Sequence, residues 1–425
     1  MPGQEIELDV TGVAHGGVMV ARHEGRVVFV ADAIPGERVL ARVSDDAKKS
    51  FWRAETVRVL DASPHRREHV WAEAALGRDP AERPGGAEFG HIELAHQREL
   101  KRQVVADALK RMAGVDTPVA IEPLDGETVD GTRWRTRVTL HVAENGVVGP
   151  FAARSHRVIP VESLPLALPA LEAEAPLSTR FFAGGGSVEL AATSTRQVHV
   201  VTVSAGGLHC PAGRGSRPTT AAAPTRTITE VVRGREFALD LGGFWQVHRL
   251  GAEALYDAVQ GAIDEALFDP RAANLDLYGG VGLLAAAVGD RFGSATRITS
   301  VESSEHATEH AGANLSDWVG AQAVTGRVEH WIRGAAAQAT ALERTRQRAA
   351  TVVLDPPRSG AGAEVVGELL AMHPAQLVYV ACDPVAFARD AALLRAGGYE
   401  ATAVRGYDLF PNTHHVELVA TFTPS

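Results

Sequence analysis

The chain has 425 residues, of which 45% are hydrophobic and 22% are charged, a composition typical of a globular protein with two or three domains. Its net charge of −10 argues against a protein that coats nucleic acid through bulk positive potential, but it allows an enzyme with a local basic groove. Two cysteines exclude a disulfide framework and an all-cysteine zinc site, and without a secretory signal or a membrane-spanning apolar run the expected location is the cytoplasm.

Residues 1–63 are predicted to form a small β-barrel of the oligonucleotide-binding type. The prediction rests on five short β-branched runs separated by turn residues: EIELDV, GVMVAR, RVVFVA, ERVLARV and ETVRVL. The segment 48–53, KKSFWR, places cations beside aromatic side chains, as surfaces that bind single-stranded nucleic acid do. Because the charges of this region nearly balance, a purely structural barrel is the alternative.

Residues 64–240 are predicted to form a central, mostly β domain with one long helix. The helix covers residues 95–113 with Gly114 as its stop, and it is a candidate to pack on the domain that follows. The alternating runs RTRVTLHVA, SVELAAT and VHVVTVS predict strands. Residues 207–227 read as a long loop, in which Cys210 is expected to be a free thiol.

From residue 241 to residue 425 the pattern changes to alternating strands and helices. This alternation predicts an α/β fold with a doubly wound, Rossmann-like sheet, in which ligands bind at the carboxyl ends of the strands. Gly280, Glu302, Asp355 and Cys382 each fall where a predicted strand ends. We therefore expect these four residues at one edge of the sheet.

The stretch from Asp276 to Ala285, DLYGGVGLLA, is predicted to run from a strand through a glycine loop into a helix. Glycines let the backbone approach a nucleotide closely, and the helix N-terminus offers free N–H groups. Glu302 ends the next strand, where a carboxylate can bind ribose hydroxyls. The element suits NAD as well as S-adenosylmethionine, and a tight turn without a ligand is a further alternative.

Three more positions are candidates for chemistry. Asp355 ends an apolar strand and precedes two prolines, which either hold a planar base beside a cofactor or simply stiffen a turn. Cys382 can act as a nucleophile only when it is partly thiolate, and otherwise it is a buried structural thiol. Glu417 interrupts the final apolar strand, either as a partly buried base with a raised pKa or as an edge-strand carboxylate that faces water.

Five motifs occur in the order and spacing of the RNA uridine-5-methyltransferases, which the chain resembles: GFWQVH, LDLYGGVG, VVLDPPRSG, VYVACDPVAFARD and DLFPNTHHVEL. The N-terminal strands are similar to the TRAM RNA-binding domain of the ribosomal-RNA branch of that family. We expect a monomer that does not bind membranes, and the resemblance implies an enzyme. It would methylate carbon 5 of a uridine with S-adenosylmethionine, in 23S ribosomal RNA rather than transfer RNA.

The resemblance also implies roles for individual residues. Cys382 would be the nucleophile that adds to carbon 6 of uracil, and Glu417 the base that removes the hydrogen from carbon 5. Asp355 could contact the uracil as well as the cofactor. The positions that match cofactor contacts are Gln246, Tyr278, Gly280, Leu283, Glu302 and Asp355.

The chain departs from the family pattern at several positions. Many relatives hold an iron–sulfur cluster through four cysteines, two of them in a Cys-Gly-Gly-Cys run, but here that run is Pro84-Gly-Gly-Ala87. We therefore expect neither a cluster nor another metal, and ordinary packing around Trp71 and Phe89 instead. Asp383 replaces the usual asparagine after the cysteine, and Arg327 stands where a polar or acidic residue near adenine is common.

Three other functions stay open at this point. A methyltransferase for an exocyclic nitrogen would use the Asp355 loop and leave Cys382 structural. An RNA-binding or assembly factor with a silent methyltransferase fold would bind RNA without turnover. A dehydrogenase would bind NAD at the glycine loop.

Overall fold

The computed structural model describes residues 3–181, 185–204 and 226–425. Cys210 and most of the predicted loop 207–227 lie outside these residues. The chain divides into two compact units: unit 1 is Met1–Val104, Asp125–Pro224 and Phe410–His415, and unit 2 is Val105–Leu124, Thr225–Leu409 and Val416–Ser425. The predicted boundaries at residues 63 and 240 stay a prediction.

Unit 1 begins with a closed barrel in the order β1-β2-β3-β5-β4, as the alternating runs predicted. Its strands are β1 (Glu5–Ala14), β2 (Val18–His23), β3 (Arg26–Ala31), β4 (Arg38–Asp45) and β5 (Phe51–Asp61). Alternate residues of β1 and β5 are buried, so one face of each strand fills the barrel. Phe89 packs into this core from outside the predicted barrel, and it is 1% exposed.

The rest of unit 1 contains a second sheet, in the order β10-β9-β7-β8. The strands of this sheet are β7 (Arg137–Val142), β8 (Val148–Gly149), β9 (Gly186–Ala192) and β10 (Val198–Ser204). The same part of unit 1 contains the short helix α2 (Pro169–Glu174). Trp71 is buried, as the sequence predicted.

Helix α1 (Leu94–Ala108) lies at the predicted position, and a π-helical turn, Leu109–Ala113, continues it. The turn ends at Gly114, whose φ of +64° suits glycine. The residues after Val104 belong to unit 2, where Val105 and Leu109 join its hydrophobic core.

Unit 2 is built on a sheet in the order β15-β14-β13-β16-β17-β19-β18-β6. Strands β13 to β17 run parallel, whereas β19 lies antiparallel between β17 and β18. The strands are β6 (Ile121–Glu122), β13 (Asn274–Leu277), β14 (Ile298–Glu302), β15 (Ala321–Thr325), β16 (Thr351–Leu354), β17 (Gln376–Ala381), β18 (Tyr399–Tyr407) and β19 (Glu417–Pro424), with β11 (Thr227–Val232) and β12 (Arg235–Asp240) forming a separate hairpin.

The helices of unit 2 follow its strands in sequence, which confirms the α/β prediction. They are α3 (Gly251–Ala262), α4 (Leu283–Phe292), α5 (Glu305–Asn314), α6 (Val328–Gln338), α7 (Ala341–Arg348), α8 (Gly362–Met372) and α9 (Pro384–Ala396). Strands β13, β16 and β17 are buried throughout, as parallel strands covered on both faces are. In the part of the chain that the structure describes, no helix is both long and apolar enough to span a bilayer.

Candidate active site

The sheet order of unit 2 brings the predicted site residues to one edge. Strands β14, β13, β16 and β17 are parallel neighbours, so their carboxyl ends meet at the same side of the sheet. Glu302 ends β14, Tyr278 follows β13, Asp355 follows β16 and Cys382 follows β17. Antiparallel β19 starts at this edge, and its first residue is Glu417.

The glycine loop has the geometry of a nucleotide cradle. Gly280 and Gly282 have φ of +54° and +88°, and a Cβ at Gly280 would meet no atom within 4 Å, so space lies open in front of the backbone there. The Gly280 N–H donates to a carboxylate oxygen of Glu302 at 3.3 Å, which ties the predicted ribose-binding acid to the loop. The loop therefore fits the adenosine part of a cofactor.

Other predicted cofactor residues surround this loop. Tyr278 adopts φ of +62°, uncommon for a tyrosine, and Leu283 begins helix α4. Burial raises the pKa of the Tyr278 phenol to about 12, so the hydroxyl stays protonated and able to donate a hydrogen bond. Gln246 is half-buried in the segment before α3, and its contact with a cofactor stays a prediction.

Cys382 and Glu417 lie near each other at the end of the β17–β19 pairing. Ala381 of β17 pairs with Leu418 of β19, and Cys382 and Glu417 are the residues next to this last pair. Glu417 acts on the Cys382 thiol, whose pKa it raises. Glu417 is 3% exposed inside the sheet, so the reading of it as an edge-strand carboxylate facing water is wrong.

Burial sets the electrostatics of these groups. It raises the pKa of Glu417 well above its ordinary value, and the neighbouring Asp355 raises it further. It also raises the pKa of Asp355 to about 7, with Asp276 adding to the rise. The pKa of the half-buried Cys382 thiol rises to about 12, first through burial and then through Glu417 and Asp355. Glu417 is thus a strong base for a carboxylate, as proton abstraction from carbon requires.

One residue that acts on this pair was not among the site residues predicted from the sequence. Arg358 lies in the loop that follows Asp355, and its guanidinium lowers the pKa of both Cys382 and Glu417. Arg358 and Cys382 line the same small cavity of about 10 Å³, together with Pro356. The signal was present in the DPPRSG motif, where a cation follows the strand-end acid by three residues.

The two unusual residues near the site have local partners. The Asp383 carboxylate accepts hydrogen bonds from the N–H groups of Val385 and Ala386 at 3.0 and 2.9 Å, so it caps helix α9 as an asparagine would. Arg327 is exposed at the start of α6 and forms an ion pair with Glu329. The Asp383 carboxylate also raises the pKa of the Cys382 thiol.

In unit 1, the segment 84–87 lines a cavity of about 500 Å³. Charged and imidazole groups share its wall, among them Asp32, Glu55, His69 and Glu88. Within residues 3–181, 185–204 and 226–425, however, no group of three or more His, Cys, Asp or Glu side chains is placed to hold a metal ion.

The barrel separates the aromatic residues that the KKSFWR segment brings together. Phe51 is half-buried on the outer face, with the Lys48 ammonium 5.0 Å and the Arg53 guanidinium 5.7 Å from its ring centre. Phe29 of β3 meets the same ring edge to face. Trp52 points the other way and is 6% exposed, so its part in the predicted surface is wrong: strand alternation buries it.

Comparisons with known proteins agree with this geometry. The TRAM domain profile matches residues 1–55, and the tRNA (Uracil-5-)-methyltransferase profile matches residues 270–422. A Streptomyces avermitilis protein named as an uncharacterized RNA methyltransferase is 36% identical over 100% of this chain and 99% of its own length. A similarly named Bifidobacterium longum protein is 32% identical over 99% of this chain and 97% of its own.

Among solved structures, the chain is similar in fold to the tRNA (uracil-54, C5)-methyltransferase of Pyrococcus abyssi, which was solved with S-adenosyl-L-homocysteine. The TM-score is 0.68 at 19% identity, and the match covers 98% of this chain and 100% of the other.

Proposed function

The chain belongs to the RNA methyltransferases, in the family that joins a TRAM domain to a tRNA (Uracil-5-)-methyltransferase domain, and we propose that it methylates a uridine of 23S ribosomal RNA. It is a transferase that uses S-adenosylmethionine. Support for chemistry at carbon 5 comes above all from one observation, the β17–β19 pairing that brings Cys382 near the buried carboxylate of Glu417.

The proposed reaction follows from the poor nucleophilicity of carbon 5. The Cys382 sulfur forms a bond to carbon 6, its proton leaves to water, and the electron pair displaced from the C5=C6 bond gives carbon 5 enolate character. Bound S-adenosylmethionine supplies the electrophilic methyl group for carbon 5. The Glu417 carboxylate then accepts the hydrogen of carbon 5 as a proton, the C5=C6 bond re-forms, and the C6–S bond breaks to return the thiolate.

Other residues prepare these steps in the proposal. Arg358 favours the thiolate of Cys382 by its charge. Asp355, whose pKa of about 7 leaves it partly protonated at neutral pH, can donate a hydrogen bond to a uracil carbonyl or accept one from the ring N–H. Gly280 and Glu302 would hold the adenosine part of the cofactor.

We assign the outer barrel face to single-stranded RNA. Phe51 offers a ring edge and face on which a base can stack, while Lys48 and Arg53 offer charge to phosphates. These contacts let a chain of net charge −10 bind RNA locally. An RNA substrate also supports action in the cytoplasm.

Transfer RNA is the alternative substrate, and the name of the Pyrococcus protein, which acts on uracil 54 of tRNA, favours it. The TRAM domain favours ribosomal RNA by family analogy. Nucleoside mass spectrometry on separately purified rRNA and tRNA, from cells with and without the gene, distinguishes the two. Loss of 5-methyluridine from rRNA alone supports the proposal, and loss from tRNA alone supports the alternative.

Returning the gene with Cys382→Ala tests the chemistry in the same cells. The proposal expects no 5-methyluridine to reappear. Full recovery would instead favour a methyltransferase that needs no covalent adduct. If cells with and without the gene have the same RNA nucleosides, an RNA-binding factor with a silent methyltransferase fold is favoured.

A further inference from the structure

The loop of residues 355–361 connects β16 to α8 and carries both Asp355 and Arg358. Its first residue is fixed by the sheet, since the Asp355 N–H donates to the Leu277 carbonyl at 3.2 Å. Its middle is stiffened by Pro356 and Pro357. Arg358 itself is exposed, so something else must hold the far end of the loop if the guanidinium is to stay near Cys382.

Asp390 of helix α9 meets that far end, and its side chain is 0% exposed. One carboxylate oxygen accepts hydrogen bonds from the Ala361 N–H at 2.7 Å, the Gly362 N–H at 3.2 Å and the Tyr379 hydroxyl at 2.7 Å. The Ala361 N–H also donates to the Tyr379 hydroxyl at 3.1 Å. A buried carboxylate with several donors is a strong local constraint, because moving the loop would take away two N–H donors and leave only the Tyr379 hydroxyl and the Arg389 guanidinium.

The backbone confirms how closely the loop approaches α9. Gly360 has φ of +81°, and a Cβ there would lie 2.5 Å from the Asp390 carboxylate and 3.3 Å from the Ala386 Cβ. The neighbouring Arg389 donates to the Ser359 carbonyl. Glycine at position 360 is therefore required both by its dihedral angle and by the contact with Asp390.

Helix α9 starts directly after the nucleophile, with Asp383 as its cap. A carboxylate on this helix thus ties the Arg358 loop to the same rigid element that carries Cys382. We propose that Asp390 is a positioning residue, which with the Tyr379 hydroxyl fixes the loop 355–361 on α9 and so holds Arg358 beside the Cys382 thiol. The catalytic meaning of this inference rests on the function proposed for Cys382.

The experiment measures Cys382 alkylation by iodoacetamide against pH in the full-length protein, read from tryptic peptides by mass spectrometry. Cys210, the other cysteine, serves in the same digest as a reference for the reagent. Asp390→Ala should slow Cys382 alkylation at pH 8 by about fivefold, because the Arg358 charge would no longer be held near the thiol. A unit positive charge about 4 Å away favours a thiolate by about this factor in water-like surroundings. Asp390→Asn, which keeps an acceptor, should give a smaller loss.

Tyr379→Phe removes a single hydroxyl and should slow alkylation by about twofold, less than Asp390→Ala, since two N–H donors stay on Asp390. The matched control is Asp290, a second aspartate of unit 2 that accepts a tyrosine hydroxyl and pairs with an arginine. Asp290→Ala and Tyr256→Phe should leave the alkylation profile in place. Methylation of RNA from cells lacking the gene should show a lower kcat for Asp390→Ala with an unchanged KM for the cofactor.

An unchanged alkylation profile in folded Asp390→Ala would overturn the inference, whatever the methylation assay shows. If Asp390→Ala does not fold, Tyr379→Phe decides: a Cys382 profile equal to that of the parent protein refutes the positioning role. If the parent protein methylates no uridine, the proposed function fails, yet the alkylation profiles still test whether Asp390 positions Arg358.

Discussion

Replacing Asp276 by asparagine should make the stability of unit 2 less sensitive to pH. Asp276 is 0% exposed, and one of its oxygens accepts a hydrogen bond from the Ser300 hydroxyl at 3.0 Å. The other oxygen has no hydrogen-bond partner among the residues that the structure describes. Burial raises the pKa of this carboxyl from 3.8 to about 7, against the effect of the Ser300 hydrogen bond.

The sign follows from where the proton is held. Between pH 4 and pH 7 the folded protein keeps a proton on Asp276 that the unfolded chain has lost, so the free energy of unfolding decreases as pH rises through this window. A rise of the pKa from 3.8 to about 7 corresponds to about 4 kcal/mol, and sharing of the effect with the neighbouring Asp355 reduces this to about 2–4 kcal/mol. The amide that Asp276→Asn introduces cannot ionise, so the variant does not undergo this loss.

Hydrogen exchange of peptides from β13, corrected for the pH dependence of intrinsic rates, measures the free energy of opening within unit 2. Between pH 5 and pH 8 the free energy of opening should fall by about 1–3 kcal/mol more in the parent protein than in Asp276→Asn, because only the part of the titration from pH 5 to about 7 lies in this range. Glu309→Gln, which removes a charge from an exposed position of α5, should show no such difference. Parallel curves for the parent and Asp276→Asn would refute the assignment of a buried, protonated carboxyl.

Three further predictions concern the reaction, the barrel and the missing cluster. Cys382→Ala should abolish methyl transfer without loss of cofactor binding. Glu417→Gln should slow release of the methylated RNA by ~10²–10⁴-fold, so that a covalent RNA adduct accumulates and is seen on denaturing gels. An adduct in Cys382→Ala would contradict the mechanism. Phe51→Ala should weaken RNA binding by about 1–3 kcal/mol in a filter-binding assay. Val129→Ala, at a fully exposed position, is the control. Equal RNA affinities of Phe51→Ala and the parent protein would show that the outer barrel face does not bind RNA. The purified protein should contain no iron by mass spectrometry, because the Cys-Gly-Gly-Cys run is Pro84-Gly-Gly-Ala87 here; stoichiometric iron would mean that other ligands hold a cluster.

Local patterns were sufficient for much of the fold. The barrel was predictable because its strands alternate buried and exposed residues. Unit 2 was predictable because glycine loops separate its strands from the helices that follow them. The glycine loop, Asp355 and Cys382 were placed at one sheet edge by a general property of parallel strands, which the structure bears out.

Long-range pairing was not predictable in the same way. Nothing in the sequence of β19 indicates that it inserts between β17 and β18, yet this position buries Glu417 and brings it near Cys382. Likewise, β6 pairs with β18 from a part of the chain that reads as a separate β region. A single sequence gives strand periodicity but not sheet order, so the burial of Glu417 needed the structure.

The acids of the site are linked through burial and mutual repulsion, which has a consequence for its pH dependence. Asp276 raises the pKa of Asp355, and Asp355 raises that of Glu417 and Cys382, whereas Arg358 acts in the opposite sense. The titration therefore belongs to the cluster and not to one residue. Ionisation of Glu417 and of the thiol both favour the reaction as pH rises, whereas the stability that unit 2 loses through Asp276 is lost between pH 3.8 and about 7. Above about pH 7 unit 2 therefore loses no further stability through Asp276, while ionisation of Glu417 and of the thiol can still favour the reaction.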